Sequence, residues 1–324
     1  TIKKGIPQEL IALQDTVVST QNLYEALPSL GYPVERVAAQ DSLADFENEL
    51  GRFSPQDTFI FFNCDGFGGE NWGSIRIAEM IERLGYAHTG SIAESIALVT
   101  DKPRSKRALY QAGIPTPAFE VFDYPSGVTS LSFPLIVKPA IEDASMGIEL
   151  ESVVTDPVGL CDRVRYVIET YDQPALVEEF ILGRELSISL WGNEIVEVMP
   201  LYEEDYSQIA DPLQWLLTYE AKWLPESHYY NNIFVRCPAD VPADDAQTVR
   251  ETVVRAYRAM GMRDFGRMDV RLRDGVPYII DINDLPGLAN GSGFPQNAKV
   301  AGYDYTGMVE RIIDLALRRE GWRP

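Results

Sequence analysis

The alternation of apolar and polar positions is sharpest between Gly266 and Asn283. There RMDVRL and PYIIDIN read as two strands joined at Asp274-Gly275, the residue pair that a tight hairpin turn selects. Side chains alternate along a strand, so Asp281 and Asn283 share one face while Ile280 and Ile282 share the other. Folding about Asp274-Gly275 sets Asp269 nearly opposite Asp281, which brings three oxygen-bearing side chains within about 5–8 Å of one another.

Elsewhere the pattern alternates helix and strand. STQNLYEALPSLGYPVERVAA predicts a helix leading into a strand, DTFIFFNCD a buried strand, IRIAEMIERLG a helix and YAHTGS a short strand and turn. Gly66-Phe67-Gly68-Gly69-Glu70-Asn71 lies between strand and helix, where a parallel sheet offers backbone N–H groups to a ligand. The same glycines suit a plain turn, since GFGG lacks dinucleotide-binding spacing. DKPRSKRALYQAGIP predicts a helix capped by Asp101, FPLIVKPA a strand, EDASMGIEL a small-residue turn and DPVGLCDRVRYVIETY a helix. PALVEEFILGRELSISLWG gives two strands around Gly183. EIVEVMPL, the irregular stretch YEEDYSQIADPLQWLLTYEAKWLPESHYYNN, the helix QTVRETVVRAYRAMG, the hairpin and the final helix YTGMVERIIDLALRREG follow.

A chain of 324 residues exceeds one compact core and implies roughly two or three domains. With 28 Lys plus Arg against 49 Asp plus Glu, a formal charge of -21 repels nucleic acid and anionic membranes. An anionic ligand must then be held by local Lys, Arg or N–H clusters. Cys64, Cys161 and Cys237 are odd in number and far apart, which fits reduced thiols. TIKKGIPQELIALQD lacks a signal pattern, and no apolar run reaches about 18 residues. A cytoplasmic protein is expected, with neither nucleic acid nor membrane as partner.

Candidate chemistry gathers at three places. Two carboxylates and an amide on the hairpin face call for a countercharge, and Mg²⁺ with its preference for hard oxygen ligands is the natural one; a solvated edge hairpin is the other reading. Lys138, inside an apolar strand, either meets an anion or sits on an exposed edge. Glu178, Glu179 and Glu185 suit an adenine amino group or ribose hydroxyls, or are solvated strand ends. The irregular stretch carries Tyr206, Trp215, Leu216, Leu217 and Trp223, as a lid would, and its Lys222 is either a phosphate clamp or a surface amine.

DK at 101, VKPA at 137, VEEF and GRE at 177–185, YEAKW at 219, and GRMDVRL with DINDLPG at 266–287 occur in this order. With these motifs the chain, over residues 86–315, resembles the ATP-grasp superfamily and within it the D-alanine–D-alanine ligase branch. The resemblance implies an α/β chain, α+β in the ATP-grasp part. Its three domains would be a Rossmann-like N-terminal domain over 1–100, a central small domain over 101–192 and a C-terminal domain with lid and metal site over 193–324. ATP would lie between two antiparallel sheets and drive ligation of a carboxylate to an amine through an acyl-phosphate.

By motif position, the resemblance assigns Lys102 and Lys138 to the ATP phosphates, with Ser145 in the phosphate loop. It assigns Glu178, Phe180 and Ile181 to adenine and Glu185 to ribose. Asp269, Asp281 and Asn283 would hold two Mg²⁺ ions, with Mn²⁺ as a substitute. Lys222 would contact the transferred phosphate, Arg267 and the Gly287 backbone the oxyanion, and Ser292 the carboxylate of the amine substrate. Glu70 is a further substrate-binding candidate. A homodimer is the default assembly for this branch.

The chain departs from the branch in four respects. No amine-binding acid after a glycine-rich strand end is found between Thr1 and Gln21, Asp65-Gly66 replaces His-Gly, and EDAS replaces a Gly-Ser-Ser type loop. The lid is also longer and more aromatic. The expectation is a small carboxylate other than D-alanine joined to an amino acid. The alternatives are an authentic D-alanine–D-alanine ligase, a non-catalytic nucleotide-binding regulator and a kinase that releases an acyl-phosphate.

Overall fold

In a computed structural model the chain is described over residues 8–39, 42–64, 66–67 and 72–322, with the side chains of the first helix described from Asp15 onward. Glu70 and Asp65 lie outside the described residues. Helix α1 (Gln8–Ser29) is followed by residues 32–39, which form no strand although one was expected. Pro33 cannot donate to a ladder, and Val37 and Ala39 pack as side chains into a core instead. Ser42 caps α2 (Leu43–Leu50) by accepting from the Asp45 N–H. Strand β1 (Phe59–Ile60), helix α3 (Gly73–Arg83) and strand β2 (Ala87–His88) make a parallel βαβ unit. The strand expected through DTFIFFNCD is cut to two residues because the Phe62 N–H turns to the Thr89 hydroxyl, 2.9 Å away.

Helix α4 (Ala93–Thr100) gives way to α5 (Lys102–Gln111) at Asp101, which accepts from the Arg104 N–H at 3.0 Å as its sequence position predicts. A small antiparallel sheet follows, built from β3 (Phe119–Phe122), β4 (Leu135–Pro139), β5 (Val153–Val154) and, after helix α6 (Pro157–Tyr171), β6 (Ala175–Glu179). Its order is β3-β6-β4-β5. Leu160, Val164 and Val167 of α6 pack on Leu135, Val137, Ala175 and Val177, so Ile136, Lys138, Leu176 and Glu178 turn to the opposite face.

At Gly183 the chain crosses into a second sheet. A Cβ there would lie 2.4 Å from the Leu272 carbonyl oxygen, so the crossing demands glycine. This sheet holds β7 (Arg184–Gly192), β8 (Val196–Val198), β9 (Tyr202–Asp205), β10 (Phe234–Arg236), β11 (Phe265–Arg273) and β12 (Val276–Asn283). Two short helices, α7 (Tyr219–Trp223) and α8 (His228–Asn232), separate β9 from β10. Helix α9 (Ala243–Ala259) packs Val249, Val253 and Ala256 on Leu186, Ile188, Met268 and Val270, each buried leucine or valine contributing about 1.5–3 kcal/mol. The Asp274-Gly275 turn forms as expected, with φ of 52° and 75°, and Asp269 pairs with Asp281. A register shift after Asp269 leaves Ile280 as the extra residue on β12. Helices α10 (Gly293–Val300) and α11 (Tyr305–Arg319) close the chain, and α11 packs Ile312, Ile313 and Leu317 with Leu23 and Leu27 of α1. Among the described residues no helix is long and apolar enough to cross a membrane.

Asp264 locks the N-terminal part to the large sheet. Fully buried, it accepts from the Gly90 N–H at 2.8 Å, from Asn193 Nδ2 at 3.0 Å and from the Arg319 guanidinium at 3.0 and 3.1 Å. Its φ of 63° is left-handed, which Asp and Asn tolerate best after glycine. Asp264→Ala should cost about 3–5 kcal/mol in urea unfolding, because it takes the buried acceptor away from the Gly90 N–H, the Asn193 amide and Arg319 together, and Asp264→Asn should cost less. A loss below about 1 kcal/mol for the alanine variant would refute this role.

Candidate active site

Period-two alternation decides which side chains line the cleft. On β7 and β11 the apolar residues face α9, so Glu185, Ser187 and Ser189 turn the other way, paired across the ladder with Arg271, Asp269 and Arg267. Register carries the same face outward to Glu204 on β9 and to Asp281 and Asn283 on β12. Opposite stands the small sheet with Lys138 and Glu178. Most of the predicted site therefore converges on one cleft between the two antiparallel sheets.

Across that cleft, Lys102 Nζ at the start of α5 donates to Asp281 Oδ1 at 2.7 Å. Burial favours the neutral acid, but Lys102, Lys138 and Arg267 outweigh it and hold the Asp281 carboxyl down at about 2. Lys138 Nζ lies 2.7 Å from Glu178 Oε2 and donates to the Ile280 carbonyl at 3.2 Å, the residue that the register shift leaves unpaired. Lys138 thus meets an anion and is not an exposed edge lysine. Lys106 holds the other Glu178 oxygen at 2.6 Å. Arg267 reaches Asp269 at 3.1 and 3.2 Å, and Ser187 donates to Asp269 at 2.8 Å. Glu185 accepts from Tyr206 at 2.6 Å and pairs with Arg271 at 2.6 Å. Asn283 Oδ1 accepts from the Leu285 N–H at 2.9 Å.

The EDAS turn places Ala144 and Ser145 at φ of 49° and 61°, conformations that glycine adopts at less cost. Ser145 Oγ donates to the Leu217 carbonyl at 3.1 Å, so this turn touches the lid. Lys222 on α7 is half-buried, and desolvation together with Arg267 lowers its ammonium pKa against the pull of Asp269 and Glu204. Phe180 and Ile181 are buried directly after β6. The Gly287 backbone and Ser292 lie on the loop between β12 and α10.

That loop exposes a residue the sequence did not flag. Asp15 of α1 lies 3.3 and 3.5 Å from Ser292 Oγ, and a Cβ on Gly287 would come within 2.7 Å of its Oδ2. Burial raises the Asp15 carboxyl pKa, partly offset by the Ser292 hydroxyl. No glycine-rich strand end lies in the described part of this stretch, as expected; an acid reaches the loop all the same, delivered by helix α1. Glu204, Arg271 and Lys106 were also missed as site residues. Alternation along RMDVRL already put Arg271 beside Arg267 and Asp269, whereas Glu204 needed β9 to be recognised as a strand.

Asp269, Asp281 and Asn283 supply hard oxygen atoms from facing strands, a donor set suited to Mg²⁺ completed by phosphate and water. Among the described residues no group of three or more His, Cys, Asp or Glu is arranged to hold a metal ion; the hairpin sets the Asn283 amide beside its two carboxylates.

Residues 109–314 match the family described as D-ala D-ala ligase C-terminus. This chain belongs to that family. It is thereby an ATP-grasp enzyme that forms carbon–nitrogen bonds. The ligase is 36% identical to the uncharacterized protein y4sG of Sinorhizobium fredii over 83% of this chain and 80% of that protein. It is 28% identical to a D-alanine–D-alanine ligase of Desulforamulus reducens over 93% of each, and 33% identical to one of Ralstonia pickettii over 74% of this chain and 70% of that protein. The crystal structure of a Bacillus anthracis D-alanine–D-alanine ligase complexed with ATP shares its fold, with a TM-score of 0.73, 21% identity and coverage of 95% and 94% of the two chains.

Among the described residues of the ligase cleft, Glu204 makes no ion pair while Asp269, Asp281, Glu178 and Glu185 each make at least one. Burial, with Glu185 and Asp269 nearby, raises the Glu204 carboxyl from 4.5 to about 8. A raised folded-state pKa means that keeping this acid costs increasing stability as pH rises from 4.5 to about 8 and a constant amount above. Glu204→Gln should gain melting temperature over the unaltered ligase by an amount that grows across that interval and then levels. A pH-independent difference in scanning calorimetry would contradict the assignment.

Proposed function

We propose that this ligase joins the amine of an amino acid to a small carboxylate other than D-alanine, converting ATP to ADP and phosphate through an acyl-phosphate. The observation that carries the reading is the opposition of Asp269, Asp281 and Asn283 to Lys102 and Lys138 across one cleft. Such a face can bind a polyphosphate without net charge build-up.

Lys102, Lys138 and the Ser145 turn would bind the phosphates, with Glu178, Phe180, Ile181 and Glu185 toward the base and ribose. Asp269, Asp281 and Asn283 would hold Mg²⁺, which supplies charge neutralisation on the transferred phosphoryl group. The substrate carboxylate oxygen attacks the terminal phosphorus and ADP leaves. The amine then attacks the acyl carbon, phosphate leaves with the carbon–oxygen electron pair, and the amine gives up a proton. Lys222 would steady the phosphoryl group in the first step. Arg267 and the Gly287 N–H would hold the oxyanion in the second, and Ser292 would orient the amine substrate's carboxylate. The altered EDAS turn and the long aromatic lid support an acyl partner that differs from D-alanine.

One observation favours authentic D-alanine–D-alanine ligation as a second reading. Asp15, beside Ser292 and Gly287, is a carboxylate suited to an α-ammonium group, so the acyl partner would itself be an amino acid.

ADP release with Mg-ATP, measured against single and paired amino acids of both hands and small carboxylates, separates these readings. Release that depends on a pair, with a product mass equal to both substrates minus water, is expected. Full turnover on D-alanine alone would establish the second reading, and ADP release indifferent to any amine would overturn both. Asp281→Ala should lower turnover at least about 10- to 100-fold while the protein still melts cooperatively. Asp15→Asn should raise the KM for the substrate whose ammonium it holds by about tenfold, with a smaller effect on kcat. Unchanged KM for every substrate would remove Asp15 from the site.

A further inference from the structure

Three acids follow one another on β9, and the outer two have arginines of their own. Glu203 pairs with Arg184 at 2.6 Å and Asp205 with Arg236 at 2.6 Å. Alternation turns Glu203 and Asp205 away from the cleft and Glu204, between them, into it. Glu204 is 7% exposed, and among the described residues its carboxyl makes neither a hydrogen bond nor an ion pair. A buried carboxyl group without a partner is costly, and placing it directly opposite a second acid costs more.

That second acid is Glu185. The β7–β9 register sets the two directly across from each other on one face, with their Cβ atoms about 4.5–5.5 Å apart. Glu185 is engaged through one oxygen. Tyr206 donates to its Oε2 at 2.6 Å and Arg271 pairs with the same Oε2 at 2.6 Å, whereas neither contact falls on Oε1. Phe180, buried with its ring centre 5.5 Å from the Arg271 guanidinium, puts an apolar wall beside the pair.

The chemistry of the two acids narrows what they can take. Among the described residues no group of three or more His, Cys, Asp or Glu is arranged to hold a metal ion. A ligand ammonium would meet Lys222 and Arg267, whose charges already act on Glu204. Burial and the neighbouring acids keep the proton on Glu204 up to about 8, so this group offers both an O–H donor and an acceptor, while Glu185 accepts. Two adjacent hydroxyl groups, each able to donate and to accept, match that arrangement.

We propose that Glu204 is a second ribose-binding residue, which with Glu185 brackets the vicinal diol of the nucleotide so that each acid takes one hydroxyl. This rests on the reading of the cleft as an ATP site, in which Glu185 alone is assigned to ribose. The site then reads the sugar at two positions, and a nucleotide lacking either hydroxyl leaves one buried carboxyl group without its partner.

The test titrates ATP, 2′-deoxy-ATP, 3′-deoxy-ATP and inorganic triphosphate by calorimetry into the full chain with Mg²⁺, as the unaltered protein, Glu204→Leu and Glu204→Gln. In the unaltered protein each missing hydroxyl should weaken binding about tenfold. Glu204→Leu should weaken ATP about tenfold and lose the penalty for one of the deoxy nucleotides while keeping the other. Glu204→Gln still donates and accepts, so it should keep both penalties. Triphosphate carries no sugar and should bind all three proteins alike. A penalty for fewer than both deoxy nucleotides in the unaltered protein, both penalties intact in Glu204→Leu, or a matching loss of triphosphate binding would overturn the diol clamp and leave the ATP site standing. Failure of the unaltered protein to bind ATP would remove the ATP reading, and the clamp with it. The deoxy comparison in the unaltered protein needs no substitution, so a misfolded variant does not spare the proposal.

Discussion

A carboxylate taken out of water must find a cation, and the cleft between the two sheets is arranged under that constraint. Asp281 has Lys102, Asp269 has Arg267, Glu185 has Arg271, and Glu178 is shared between Lys106 and Lys138. Lys102 and Lys106 of α5 reach Asp281 on the large sheet and Glu178 on the small one, so the charge balance also ties α5 to both sheets. Attraction across a low-dielectric gap returns the desolvation cost only when the geometry is good, which favours one relative arrangement of the sheets. Glu204 departs from the rule and keeps its proton instead.

Features encoded over short distances were legible in the sequence. The hairpin announced itself through alternation and Asp274-Gly275, and α5 through its cap Asp101. Lys138 could be read as a buried cation because a lysine among apolar strand neighbours is costly alone. Features created by tertiary packing were not legible. No local pattern around Asp15 marks it, because its significance arises only when α1 lies against the loop carrying Gly287 and Ser292. The stretch from Tyr202 looked irregular, since acidic YEED lacks an apolar face, yet it adds to the edge of β7 as β9. Conversely, YPVERVAA alternates like a strand and is none, having no edge to join and a proline in its run.

Family membership rests mainly on the part of the chain beyond residue 109, which holds the paired charges other than Lys102 and Lys106. Around that centre lie the helix that brings Asp15, the EDAS turn with two non-glycine residues in left-handed conformation, and the aromatic segment over Glu185. Chemistry kept at the centre and altered at the rim is how one reaction serves different substrates, since the loops can change without disturbing the ion pairs beneath them.

The Asp264 junction has a consequence for how the chain is made. Its partners are Gly90, Asn193 and Arg319, and the apolar face of α1 likewise meets α11 at the far end of the sequence. On a ribosome adding about 5–20 residues per second, Leu23 and Leu27 emerge well before the helix that covers them. The apolar face of α1 therefore stays uncovered until the last helix has emerged, whereas the cluster around Phe46, Ile77 and Ile96 draws its buried residues from the first hundred of the chain.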